Sequence, residues 1–159
     1  MSATTKHQTE INAHPTLPII TIVREFDAPA HKLYRAHTEP ELVARWTGPR
    51  SVGMRIDTWD CRTGGSWAYT ATHDGQDMRF FGSFHEVRTD RIIQTFSWEG
   101  ADGVALETLW FEDLGDGRTR LRSQSLCDTV EGRDAMLSSG MDVGVDEGYA
   151  KLDELLAGP

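Results

Sequence analysis

The stretch from Ser139 to Leu156 constrains the fold more than any other part of the chain. Met141, Val145, Tyr149, Leu152 and Leu156 recur at helical spacing and so fall on one stripe of an α-helix, while Asp142, Asp146, Glu147, Lys151 and Glu154 take the other faces. Ser139 and Asp142 have the form of a capping box, and Gly158-Pro159 supplies a stop. A helix with one apolar stripe needs an apolar surface to lie on. Gly140, Gly144 and Gly148 run beside that stripe. Interior glycines cost about 1 kcal/mol each against alanine, so either a neighbouring backbone comes close here or space is left open.

The surface is supplied by strands. Ile19 to Phe26 is rich in β-branched residues and reads as a first strand; Ala28-Pro29 then opens a short helix through His37, and Thr38 to Glu41 has the form of a capping box for a second, carrying Leu42, Val43 and Trp46. Trp46-Thr-Gly-Pro49 ends the pair. Six strands follow without helical periodicity between them, at 52–60, 66–73, 77–88, 91–99, 104–113 and 118–126. Asp74-Gly75 and Gly115-Asp-Gly117 are tight-turn signals, so neighbouring strands run antiparallel. Asp128 with Glu131 is expected to cap a short helix ahead of the long one. The fold class is α+β, with an antiparallel sheet of about seven strands against one long helix.

Alternation shows which face the helix covers. Across a two-residue turn at Asp74-Gly75, Trp67, Tyr69 and Ala71 share a face with Met78, Phe80, Gly82 and Phe84. Carried through Thr89-Asp90, the same register would turn Ile92, Phe96 and Trp98 outward. Burying Phe96 and Trp98 is worth a few kcal/mol, so a one-residue bulge is expected near Glu86-Val87 to reverse the register.

Composition narrows the function. A chain of 159 residues fits one domain over 19–159, with residues 1–18 as a flexible tail lacking signal-peptide character. A formal charge of -9 repels nucleic acid and anionic membranes, and no apolar run is long enough to span a bilayer. Cys61 and Cys127 lie in different strands without metal-ligand spacing, so two reduced thiols in a cytoplasmic protein are expected. The six histidines show no ligand spacing either; no metal site and no cofactor are expected.

The element order, with Ala28-Pro29, Trp46-Thr-Gly-Pro49, Asp60 to Gly65 followed by Trp67, Gly82 to Val87, Phe111 to Leu121 and Gly140-Met-Asp-Val-Gly144, resembles the START-like (birch-pollen-allergen-like, SRPBCC) superfamily over residues 19–157. Within it the chain is similar to the bacterial branch related to the activator of the heat-shock protein 90 ATPase. The resemblance implies a helix-grip fold, a curved sheet wrapped around the last helix with a cavity between them, and no single chemistry.

No nucleophile elbow and no phosphate-binding glycine loop is present. The one carboxylate to weigh as an acid or base is Glu107, which shares a strand face with Leu109 and Phe111; the simpler expectation places it at the strand's exposed end, and no catalytic residue is assigned. Trp46, Trp67, Tyr69, Phe80, Phe84, Phe96, Trp98 and Tyr149, with Leu109, Met141 and Val145, are the expected cavity wall. Three readings follow. One is a module binding a small apolar or aromatic ligand, which the absence of a catalytic constellation favours. Another is an enzyme resembling polyketide cyclases and aromatases. The third is a co-chaperone-like protein-binding domain, disfavoured because the chain is expected to lack the additional domain of the eukaryotic activators. A protein partner or homodimer is compatible with any of them.

Overall fold

The computed structural model describes residues 7–158. Residues 1–6 of the expected tail and Pro159 of the expected helix stop lie outside the described residues. Eight antiparallel strands form one curved sheet: β1 (Glu10–Ala13), β2 (Ile19–Phe26), β3 (Gly53–Trp59), β4 (Ser66–His73), β5 (Gln76–Val87), β6 (Arg91–Trp98), β7 (Ala105–Gly115) and β8 (Arg118–Leu126). They lie in the order β1-β2-β8-β7-β6-β5-β4-β3. Helices α1 (Ala30–Thr38) and α2 (Pro40–Trp46) follow β2, and α3 (Val130–Ser138) and α4 (Met141–Ala157) follow β8. This is the α+β helix-grip architecture, with one strand more than the sequence indicates.

The additional strand is β1, within the stretch expected to be a loose tail. It pairs with β2 from Glu10↔Val23 to Ala13↔Ile20 and brings Ile11 against the core. Without it, β2 would be an open sheet edge. Its connection to β2 is tied down by the buried Arg133 of α3, whose Nη1 donates to the carbonyls of His14 and Leu17 at 2.5 and 2.6 Å.

The hairpin logic holds through the middle of the chain. Asp74 and Gly75 both take positive φ in a two-residue turn, which sets Trp67↔Gly82, Tyr69↔Phe80 and Ala71↔Met78. Between β5 and β6 the register changes from Phe84↔Gln94 to Glu86↔Ile93, leaving His85 as the extra residue. This is the expected bulge, placed one residue earlier, and it turns Ile92, Gln94 and Phe96 to the concave face. Gly82 opposite is obligatory, since a Cβ there would stand 1.9 Å from the Thr95 carbonyl oxygen and 2.7 Å from Trp67 Nε1.

The expected caps differ from those found. Helix α1 runs on to Thr38, whose hydroxyl donates back to the Tyr34 carbonyl and so cannot cap α2. Thr129, not Asp128, caps α3, accepting from the Gly132 N–H at 2.9 Å; Asp128 instead accepts from the Val104 N–H. Ser139 ends α3 by donating to the Met136 carbonyl, and Gly140 at φ +90° makes the turn into α4, a conformation that favours glycine.

Helix α4 is seated firmly at its C-terminal half. Leu152 is fully buried, Tyr149 meets Phe26 edge-on at 5.4 Å, and Arg24 of β2 donates twice to the Asp153 carboxylate at 2.8 and 2.6 Å. Only Gly148 of the glycine stripe marks close approach: a Cβ there would stand 3.1 Å from the Trp46 carbonyl oxygen, whereas one at Gly144 would meet Pro49 Cδ at 3.6 Å, an ordinary contact. These distances predict opposite effects. Gly144→Ala should raise the unfolding free energy by up to about 1 kcal/mol through helix propensity, whereas Gly148→Val should lower it by at least about 1 kcal/mol because backbone must move. Urea unfolding of both variants checks the pair.

Candidate functional site: an aromatic cavity under the last helix

Beyond Tyr149 towards its N-terminus, α4 no longer fills the concave face. A cavity of about 310 Å³ lies beneath Met141, Gly144, Val145 and Gly148. Trp59, Trp67, Tyr69 and Phe96 form its sheet side, and Val43, Trp46 and the Thr47-Gly48 turn close one end. Two indoles are anchored by their own N–H groups, Trp46 to the Ala36 carbonyl at 2.8 Å and Trp59 to the Thr38 carbonyl at 2.7 Å. Their rings are thereby held in place as walls. Trp67 stacks on Tyr69 at 5.3 Å and leans on Phe96 at 5.8 Å, while its N–H is buried over Gly82 with no partner among the described residues.

Of the residues expected on the wall, Trp46, Trp67, Tyr69, Phe96, Leu109, Met141, Val145 and Tyr149 line the cavity. Phe80, Phe84 and Trp98 do not. Phe80 lies behind Tyr69 and Phe96, at 5.3 and 5.4 Å, and Phe84 is buried against Trp59. Trp98 has the inward register, opposite Phe80, but stands at the strand end beyond the reach of α4. It is 43% exposed and folded against Gly100.

Glu107 corrects the expectation more sharply. It is not at an exposed end: β7 lies between β6 and β8, and Glu107 pairs with Gln94 on one side and Ser125 on the other. Gln94 Nε2 donates to one carboxylate oxygen at 3.1 Å and the Ser125 hydroxyl to the other at 2.9 Å. Burial pushes the carboxyl pKa up, and these two hydrogen bonds act against that rise. The hydroxyl pKa values of Tyr69 and Tyr149 are raised as well, first by burial and then by the Glu107 charge.

His37 is a lining residue that histidine spacing did not reveal. It sits between Trp46 at 4.8 Å and Phe111 at 5.1 Å, with Nδ1 2.8 Å from the Leu33 carbonyl oxygen. A carbonyl only accepts, so Nδ1 carries the proton and Nε2 is left as an acceptor. Burial lowers its pKa from 6.5 to about 4, against the smaller opposing effect of the Leu33 bond. Gln94 and Trp59 were missed as well. The inferred bulge already placed Gln94 inward, and Trp59 follows from the β3 pairing with Trp67. Among the described residues, no cluster of three His, Cys, Asp or Glu side chains is placed to hold a metal ion, and no helix is long and apolar enough to cross a membrane. Cys61 and Cys127 are unpaired.

Residues 27–157 match the family model described as Activator of Hsp90 ATPase homolog 1-like protein. The chain belongs to this family. Among solved structures it is similar to protein Ms6760 from Mycobacterium smegmatis, with 21% identity and a TM-score of 0.85 over 95% of this chain and 98% of that one. A protein from Arthrobacter aurescens gives 26% and 0.85 over 94% and 92%, and one from Rhodobacter sphaeroides 26% and 0.83 over 93% and 97%. No curated protein sequence matches the chain. The family and its helix-grip fold are compatible with binding either a small ligand or a protein.

The two half-buried titratable groups of the cavity have opposite linkage. The folded pKa of His37 lies below its unfolded value, so its contribution is complete above about pH 6.5 and declines as pH falls towards 4, by up to about 3 kcal/mol. His37→Gln should therefore lose less stability than the wild type between pH 7 and pH 4.5, as measured by denaturant unfolding. Glu107 has a raised folded pKa, so its ionisation opposes folding once pH exceeds the unfolded value. Glu107→Gln is expected to melt at a higher temperature than the wild type at pH 7, with the difference shrinking as pH is lowered to 4.5.

Proposed function

We propose that this chain is a binding module for a small apolar, aromatic molecule, held in the cavity under α4 without being transformed. The observation that carries this reading is the wall itself: Trp46, Trp59, Trp67, Tyr69, Phe96 and Tyr149 border one space, and two of the indoles are fixed by hydrogen bonds to carbonyls of residues that do not line it. A core built only for stability would fill such a space, since unfilled volume costs dispersion contacts and burial. Apolar burial at about 25 cal/mol per Å² would supply most of the binding energy, and the few polar groups would orient the ligand. The two unpaired cysteines suit a cytoplasmic setting.

A second reading has one observation in its favour. Glu107 borders the cavity with its pKa raised, which is what a general acid or base in a cyclase-like enzyme requires. Against it, both carboxylate oxygens are already engaged and His37 is held neutral by a backbone carbonyl.

Tryptophan-fluorescence titration with neutral aromatic and lipid-like compounds, with mass spectrometry of each compound after incubation, separates these readings. Saturable quenching with the compound recovered unchanged is expected. Val145→Phe, which places a ring in the cavity, should weaken that binding by at least about tenfold while leaving the melting temperature within a few degrees. Conversion of a compound, abolished by Glu107→Gln, would instead establish the enzyme. The absence of any ligand, with unchanged behaviour of Val145→Phe, would favour a protein partner.

A further inference from the structure

Among the described residues, the polar groups that border the cavity include one carboxylate and no cation. Glu107 contributes a carboxylate with each oxygen holding one donor and retaining acceptor capacity. Gln94 spends one amide N–H on Glu107 and keeps the other N–H as a donor and its carbonyl oxygen as an acceptor. His37 spends its one N–H on Leu33, leaving Nε2 as another. No lysine or arginine lines the cavity among the described residues, so Glu107 has no cation beside it there. Trp46, Trp67, Tyr69 and Tyr149 line the same space.

Such a lining selects by charge. An anionic ligand would lose its hydration and meet a carboxylate with no compensating cation, a combination that costs several kcal/mol. A protonated amine would supply the missing counter-charge, and it would also be attracted to the aromatic rings. The formal charge of -9 on the whole chain favours the approach of a cation further.

We infer that the ligand of this cavity is an aromatic amine bound as its ammonium form, with the cationic head against Glu107 and the ring between the tryptophan and tyrosine walls. The inference rests on the binding-module reading and specifies its ligand class. Tyr69 and Tyr149 line the same space as Glu107, and their hydroxyls stand there as further polar partners for the head group. Desolvation, which disfavours the bare carboxylate, is offset once an ammonium sits beside it, so the empty cavity is electrostatically incomplete.

The test uses three probes sharing one ring system: 2-(1-naphthyl)ethylamine, 1-naphthaleneethanol and 1-naphthaleneacetate. Isothermal titration calorimetry at pH 7 should show the amine binding at least about tenfold more tightly than the alcohol, with no measurable heat for the acid. In Glu107→Gln the preference for the amine over the alcohol should disappear, while the alcohol binds within about threefold of wild type. The wild-type ranking stands as a test even if that variant is poorly folded. Equal binding of amine and alcohol, or tighter binding of the acid, would overturn the inference and leave the binding module intact. An amine preference that survives in a folded Glu107→Gln would overturn the role given to the carboxylate. No binding of any of the three would overturn the inference together with the reading beneath it.

Discussion

The pairing of Arg24 with Asp153 fixes where the last helix lies, and the cavity follows from that. Arg24 points from the concave face of β2 into the core and is 5% exposed, so its guanidinium must find a counter-charge; two parallel bonds to Asp153, with Phe26 beneath at 4.6 Å, supply it. This contact, with Leu152 and Tyr149 beside it, clamps the C-terminal half of α4 to one side of the sheet. Just before Tyr149, Gly148 rests on the backbone at Trp46 and Gly48. From there towards its N-terminus the helix stands over the open space at Met141, Gly144 and Val145, and that space is the cavity.

Much of this was legible from side-chain alternation. The turn at Asp74-Gly75 set the β4–β5 register, and the requirement to bury Phe96 located the bulge to within a residue or two, although no turn signal marks it. Trp98 shows the limit of parity. Alternation gives the face of a strand, but not how far the covering helix extends, and Trp98 lies on the correct face at an uncovered end. The expected caps failed for a related reason. Thr38 and Ser139 each sit where one helix ends and the next begins, and their hydroxyls serve the carbonyls of the preceding helix. Nor could β1 be read from its four residues, because its stability comes from the open edge of β2 and from Arg133, more than a hundred residues away.

Glu107 was misjudged because position along a strand says nothing about position across a sheet. Its setting depends on long-range pairings, with Gln94 brought inward by the bulge and Ser125 by the β8 ladder. Only the strand order makes β7 central and puts a carboxylate under a helix. His37 is similar: a helical histidine is unremarkable until Trp46 and Phe111 close on its ring and Leu33 takes its proton donor.

The same cavity concentrates groups that are expensive to bury. The Trp67 N–H lacks a partner, the Glu107 carboxyl is desolvated, and His37 is kept from ionising until about pH 4. An orphaned donor costs about 1–3 kcal/mol, and an unfilled apolar space adds the loss of its dispersion contacts. Elsewhere the fold treats charge conventionally: Arg91 meets Glu86, Arg122 meets Glu112, and Arg24 meets Asp153. Unbalanced polar groups thus gather beside the open space, although Arg24 Nε, Arg118 Nε and Glu147 Oε2 are also buried without a hydrogen-bond partner elsewhere among the described residues. A leucine in place of Glu107 or His37 would remove the penalty and fill part of the volume, and a chain shaped only for stability would tend towards it. A carboxylate without a cation and a neutral histidine beside one open, aromatic-walled space fit a site completed by something other than the chain itself.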